Sequence, residues 1–469
     1  MTTVCQSVTN VSYSAFNSEL MELLQNNEKL QSIHLETNRD DVVDFMRHYN
    51  RQYSLSPWPI FINQNIVKDF EHFIRNFPAI VYKAINLFFK NDTEAFSRYL
   101  NEPAIVHQLL SDHKPDVRDL CLRHDIIFAD NQFKLIEVNA GSTIGGWQHD
   151  WLTEVYQEYL EQAEFKNLEC LKYRPVSIAM LAAAADSIVR LKGNTSNGNL
   201  LLFDTEGKMG RHLQGLYETV KPASIAEGKI YHFNDFEQLK FDANENVVFD
   251  GKIMDAVMLT LPEDVAIPHK HYLRLVSSHL KKRIVFPDSP FQSIVGNKLI
   301  LALLHEESVL SMLDSTEREI VTHHVPWTVK LEKNTIIWKQ QKTDLKSLLL
   351  ENKDLFVLKK AKSFQGRDVI VGKFTQQEDW CQSVEQFKSD GDWLVQAYCK
   401  PDQVQLCNPS VGINGHELVW GIFDFNSSYQ GAFVRAMPNK KHDAIINSAN
   451  GATEFTVFEE FKPKKKIII

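Results

Sequence analysis

The chain has 469 residues, 43% hydrophobic and 24% charged, with 19 glycines and 16 prolines, a balance that describes a folded globular protein and excludes disordered and fibrous classes. A net charge of −9 repels a phosphate backbone, so nucleic acid is excluded as a general partner and small molecules are expected instead. Six cysteines without C-x-x-C spacing argue against a zinc site and a disulfide framework.

The first residues, "MTTVCQSVTNVSYSAFNSEL", lack a basic segment followed by an apolar run, and no stretch reaches the roughly 18 apolar residues of a membrane span. A cytoplasmic protein with no membrane partner is therefore expected. Residues 14 to about 120 place apolar side chains three and four apart in "FNSELMELLQNNEKL", "DDVVDFMRHYNRQY", "NQNIVKDFEHFIRNFPAIVYKAINLFF" and "TEAFSRYLN", which predicts a helical layer. A hairpin follows in "RHDIIFADNQFKLIEVNAGSTIGG", and then a helix in "DWLTEVYQEYLEQAEF".

From about 175, a helix at "VSIAMLAAAADSIVRL" precedes short strand-like runs at "GNLLLFDTE", "KIYHFND", "NVVFDG", "DAVMLTLP" and "KRIVFP". That alternation predicts a small α/β sheet of largely parallel strands. The last region opens with one long helix, "GNKLILALLHEESVLSML", and continues as antiparallel sheet through "LFVLKK", "RDVIVGKF", "WLVQAYC", "VGINGHELVWGIF", "GAFVRAM" and "FTVFEE". His323 and His324 in "VTHHVPW" read as loop or strand-edge residues, and the terminal "KPKKKIII" as a frayed tail or an edge strand guarded by lysines. The expected divisions are 1–115, helical; 116–174, the hairpin and its following helix; 175–288, α/β; and 289–469, nucleotide binding.

Oxygen-bearing side chains on the hairpin carry the chemistry. Side chains alternate along a strand, so Glu137 and Asn139 share a face. With a three-residue loop at 130–132, Asp125 lies opposite Glu137 on that face. Two adjacent carboxylates repel unless a cation stands between them, and carboxylate plus amide oxygens suit magnesium with phosphates and water. A hydrated, solvent-facing hairpin is the plainer alternative. Arg123 just before Asp125, and the small residues of "NAGSTIGG" just after, favour an anion nearby.

Downstream, one of Lys359 and Lys360 must point to a covered side, and Gly366 in "SFQGRD" lets backbone close over phosphates; taken alone, the segment reads equally as a flexible hairpin with a solvated lysine pair. Lys298 sits in the first turn of its helix, where a bound anion would compensate its charge. Arg435 lies among apolar neighbours that make an unpaired charge costly. "WLVQAYCKP" offers Gln396 and nearby backbone to an adenine edge, although a plain sheet strand explains it almost as well.

In this order the segments "RHD…EVN", "GNK", "VLKKAKSFQG", "VQAY", "FVRAMP" and "INSANGA" resemble the circularly permuted ATP-grasp ligases, the branch that contains glutathionylspermidine synthase. The resemblance spans about residues 115 to 460. It implies an α+β ATP-grasp fold with a small α/β pre-ATP-grasp domain, and an ATP-dependent ligase joining a carboxylate (amino acid or peptide) to an amine. It further implies that Asp125, Glu137 and Asn139 hold two magnesium ions, that Arg123 contacts the transferred phosphate or acyl phosphate, and that Lys298 and Lys359 bind the phosphates of ATP. Arg435 then faces the terminal phosphate, Asn447 adds a polar contact, and Ser142 lies near the acid substrate. Ala397 stands where many relatives have an acid, and Lys360 where a proline is usual. "KAKSFQGRD" is the expected lid. A small-molecule kinase and a non-catalytic ATP-binding regulator are the competing readings; a homodimer is the candidate assembly for the ligase.

Overall fold

The computed structural model describes residues 13–40, 42–204, 210–260, 265–363, 366–438 and 445–462. The fold is α+β. Its centre is an eight-stranded sheet in the order Ile60–Ile62, Thr453–Glu460, Ser428–Pro438, Gly412–Phe425, Cys121–Ala129 and Gln132–Ala140, with Gln403–Asn408 and Leu171–Lys172 as side partners. All these pairings are antiparallel except that of Ile60–Ile62, which runs parallel to the C-terminal strand. The hairpin and the last three long strands, far apart in the chain, are thus neighbours.

Strand alternation gives this sheet two unlike faces. One carries Leu122, Ile126, Phe128, Trp420, Ile422 and Val434, and it is covered by the helix Gln64–Phe89, whose Phe70, Phe73 and Phe77 are fully buried against it. The other carries Arg123, Asp125, Phe433, Arg435 and Glu454. The expected helical layer therefore forms one wall of the core, but it is not helical throughout: Ile60–Ile62 joins the central sheet. Three residues are too few to show a period in sequence.

The region after 175 forms the expected parallel sheet, Ala256–Met258, Leu200–Phe203 and Ile230–Phe233, packed against the helix Val176–Lys192. A separate four-stranded antiparallel sheet contains Thr328–Lys330, Trp393–Ala397, Phe356–Lys360 and Val369–Val371. Its Phe356, Leu358 and Val395 face Trp380 and Leu349 of two covering helices. Lys359 and Gln396 occupy the opposite side, toward the hairpin.

Several expected elements differ: Val247–Phe249 in "NVVFDG" lies in a separate antiparallel sheet with Lys240–Phe241 and Lys252–Ile253, and "KRIVFP" gives only an isolated bridge of Val285 to Ala256. The single helix at 296–313 is broken into Leu299–Leu304 and Glu307–Met312. Asn297 turns its amide onto Leu100 O and Glu102 while capping Leu299 N, which starts the first piece abruptly. His323 and His324 end the helix Ser315–His324 rather than lying in a loop; His324 stacks on Phe133, with ring centroids 3.9 Å apart. Cys121, Cys170, Cys381, Cys399 and Cys407 are free thiols. Among the described residues no helix is long and apolar enough to cross a membrane. The tail after 462 lies outside the described residues, as do residues 364 and 365 of the expected lid.

Candidate active site

The hairpin reaches the expected pairing by a different route. Its turn has two residues, Asp130 and Asn131, both at positive φ (54° and 62°), a conformation that suits the twist of tight hairpins. Ala129 accordingly faces Gln132, not Phe133. A bulge at Ile136 then shifts the register, so that Asp125 still faces Glu137 and Arg123 faces Asn139. The extra residue has no partner across the ladder, and its carbonyl accepts a hydrogen bond from Lys359 Nζ at 3.0 Å.

Asp125 is held by two arginines. Arg123 Nε donates to Oδ1 at 2.8 Å, while Arg123 donates a second bond to Oδ2 at 3.1 Å and Arg435 another at 2.7 Å. Burial alone would raise this carboxyl's pKa; the paired guanidiniums instead hold it well below the usual carboxylate range. Asp125 therefore does not stand open as a metal oxygen: only 5% of it is exposed, and its lone pairs are turned into the arginine forks.

Beneath them, the Phe433 ring lies 5.4 Å from the Arg123 guanidinium carbon and 5.5 Å from that of Arg435. Gly421, opposite both Asp125 and Phe433, leaves room for this stack, since a Cβ there would come within 2.5 Å of the Phe433 ring and 2.8 Å of Arg123 Cδ.

Glu137 is the outward-facing acid, with 23% of its side chain exposed, and Lys298 Nζ lies 3.3 Å from its Oε1. Lys298 also donates to Ser363 O at 2.8 Å. Rather than standing inside the first turn, Lys298 immediately precedes Leu299–Leu304. Lys359, not Lys360, is the inward lysine: Lys360 faces Asp392 at the surface, whereas Lys359 bonds Ile136 O and, at 2.8 Å, Gln396 Oε1. Both of its partners are neutral. Burial pulls the Lys359 ammonium down to about 8; Glu137 opposes this and the neighbouring Lys298 adds to it.

The other expected residues are more engaged than their motifs imply. Gln396 is buried, with Oε1 on Lys359 and Nε2 donating to Thr328 Oγ1 at 3.1 Å. Ser142 donates from its hydroxyl and its backbone to Asp288, at 2.6 and 2.8 Å, and is itself buried. Asn447 caps the turn Ser448–Asn450 through Ala449 N. Gly366 adopts a positive φ of 70° beside Ile445, which ties the expected lid to the segment holding Asn447.

A neighbouring cluster has no motif. Glu454, opposite Arg435 in the sheet, accepts from Tyr49 Oη at 2.8 Å and Ser448 Oγ at 2.5 Å, and lies 3.0 Å from His149 Nε2. His149 Nδ1 in turn meets Thr456 Oγ1 at 2.7 Å. The readable signal was Glu454 and Thr456, two polar residues on one face of an apolar strand. Tyr49 and His149 give none, because their partner lies some 300 to 400 residues away.

Four cations, Arg123, Arg435, Lys298 and Lys359, thus meet two carboxylates, Asp125 and Glu137; Glu454 acts on Arg123 from beyond and has its own donors. Such a buried excess of positive charge stands ready for an anion. Among the described residues no group of three or more His, Cys, Asp and Glu is arranged to hold a metal ion by itself. Glu137 and Asn139 nevertheless place two side-chain oxygens on one strand face. That donor set fits a hard cation whose remaining ligands are phosphate and water.

No family model matches the sequence, and no curated protein matches it. Among solved structures, a glutathione synthetase-like effector from Globodera pallida, in apo form, shares the fold: 11% identity, TM-score 0.54, covering 96% of this chain and 98% of that one. A putative γ-glutamylcysteine synthetase from Methylobacillus flagellatus KT aligns at 10% identity over 81% of this chain and 87% of its own, with a TM-score of 0.32, at which a likeness carries no argument.

Proposed function

We propose that the protein is an ATP-dependent carboxylate–amine ligase of the circularly permuted ATP-grasp type, releasing ADP and phosphate. The observation that carries this is the charge imbalance: four buried or nearly buried cations meet Asp125 and Glu137, with Glu454 the third and more distant carboxylate, at the junction of two sheets. The shared fold with a protein described as glutathione synthetase-like agrees with it.

In this reading, Lys298 and Lys359 grip the phosphates of ATP from the smaller sheet's side. Arg435 and Arg123, steered by Asp125, neutralise the charge that develops as a substrate carboxylate takes the γ-phosphate and becomes an acyl phosphate. Fixed guanidiniums favour that charge separation because they need no reorganisation. An amine then displaces phosphate to form the amide. Glu137 and Asn139 are the residues that would hold magnesium, which supplies charge neutralisation of the phosphates. The intermediate requires a cover that keeps water out, and Ser363, whose carbonyl accepts from Lys298, stands beside the site on the segment expected to supply it.

The test is incubation with ATP, magnesium and pooled amino acids, small peptides and polyamines, with products read by mass. A product equal to acid plus amine minus water, formed one for one with ADP, is expected. ADP formed without any dependence on amine would replace the ligase by a kinase, and failure to bind ATP would remove both.

A further inference from the structure

We infer that Gln396 acts as the positioning residue of Lys359 and does not read the nucleotide base; this rests on the nucleotide-binding reading above. Gln396 lies on the strand Trp393–Ala397, between Thr328 on one side and Val357 on the other. Lys359 faces Leu394, so Lys359 and Gln396 are diagonal neighbours on one face of the sheet, within reach of each other's long side chains.

Both ends of the amide are occupied. Oε1 accepts from Lys359 Nζ at 2.8 Å, and Nε2 donates to Thr328 Oγ1 at 3.1 Å, whose own hydroxyl is fixed by donation to Pro326 O at 2.7 Å. Thr328, Gln396 and Lys359 are all buried. A chain of fixed bonds from Pro326 O to the ammonium engages one N–H and one lone pair of the Gln396 amide and fixes its orientation toward Lys359. It aims the one cation of the site whose protein partners are both neutral. The backbone around it is committed too: Ala397 N donates to Trp327 O, and Tyr398 N to Leu355 O.

The test separates the two halves of the ligand. Binding of magnesium tripolyphosphate, magnesium ATP and adenosine is measured by calorimetry on the full chain. Gln396→Leu is expected to weaken tripolyphosphate and ATP alike, by about tenfold, and to leave adenosine unchanged. Gln396→Glu keeps the shape and the Lys359 contact but pairs the ammonium with a carboxylate. It is expected to cost tripolyphosphate more than Gln396→Leu does, and it serves if the leucine variant fails to fold.

In a Lys359→Met background, either change at Gln396 is expected to add nothing to the loss of tripolyphosphate binding, a non-additivity that a merely structural residue would not show. A loss confined to ATP and adenosine, with tripolyphosphate unaffected, would overturn the inference in favour of base reading. Equal binding of all three ligands by the variants and the parent would overturn it outright. A parent chain that binds adenosine and ATP but not tripolyphosphate would sink the inference while leaving nucleotide binding standing, and one that binds none would sink both.

Discussion

Arg435 donates a 2.7 Å hydrogen bond to Asp125 across 310 positions of sequence. That contact closes the site, because it brings the last third of the chain onto the hairpin that carries Glu137 and Asn139. Asp125 is the hub: it also takes two bonds from Arg123. Asp125→Asn would leave two nearly buried guanidiniums without their counter-ion, which costs about 3–5 kcal/mol when one partner of such a pair is removed. A large drop in the denaturation midpoint is expected; an unchanged midpoint would show that the arginines are stabilised by something else.

Glu137 tells a different story, since it is the exposed acid of the pair and contacts only Lys298 closely. Glu137→Gln is expected to lower magnesium-dependent ADP formation by at least about a hundredfold while leaving the melting temperature near that of the parent. Normal turnover in this variant would take the hairpin out of the chemistry.

Lys359 links function to pH. Burial lowers its pKa to about 8 in the folded protein, below the unfolded value of about 10.4. The folded ammonium is therefore held at a cost at neutral pH, and this group's contribution to stability improves as pH rises from about 8 toward 10. Lys359→Met is expected to leave stability at pH 7 unchanged or raise it by about 1 kcal/mol, while nucleotide binding is weakened but still measurable. Bound phosphate favours the ammonium, so binding by the parent should weaken above about pH 8 and take up a proton there. Calorimetry at pH 8.5 in buffers of different ionisation enthalpy reads that proton directly.

Acid sensitivity has a separate origin. Burial lowers His324 to about 4, with its Nδ1 against Phe133 O. Its unfolded value of about 6.5 means that the unfolded chain takes the proton first, so stability is lost as pH falls from about 6.5 to 4. His279, His305 and His416, also lowered by burial, add to the same slope. His324→Phe is expected to flatten the stability profile in that window; an identical slope would assign the effect to the other histidines.

Gly421 makes a steric prediction. Gly421→Ala forces a methyl group against Phe433 and Arg123, an overpacking worth about 1–3 kcal/mol. It should also impair ADP formation by moving Arg123, and Phe433→Leu in the same chain is expected to restore part of both. Loss without any rescue would place the fault elsewhere than in the stack.

Much of the site was readable because strand geometry is local. The shared face of Glu137 and Asn139, the Asp125–Glu137 pairing and the opposite facing of the adjacent lysines all follow from a period of two, although which lysine turns inward does not. The pairing was nevertheless reached through a wrong turn length, since a two-residue turn and a bulge at Ile136 together give the register that a three-residue loop would have given. The Ile60–Ile62 strand and the late start and break of the helix at 296–313 were not readable, because they involve a parallel partner, the Asn297 contact to Leu100 O, and the bonds of Glu306 to Tyr99 and Lys333, all from distant segments.

Left to itself, the order of residues settles which side chains share a face and where helices run, because backbone geometry imposes those periods on any chain. Only the folded molecule decides which polar groups remain free. Whether Asp125 is open or locked between arginines, whether Gln396 faces a ligand or a lysine, and whether Tyr49 reaches Glu454 all depend on strands and helices that meet after hundreds of residues. A hydrogen-bonding group takes the partner that packing brings to it, and that partner is invisible in its own neighbourhood.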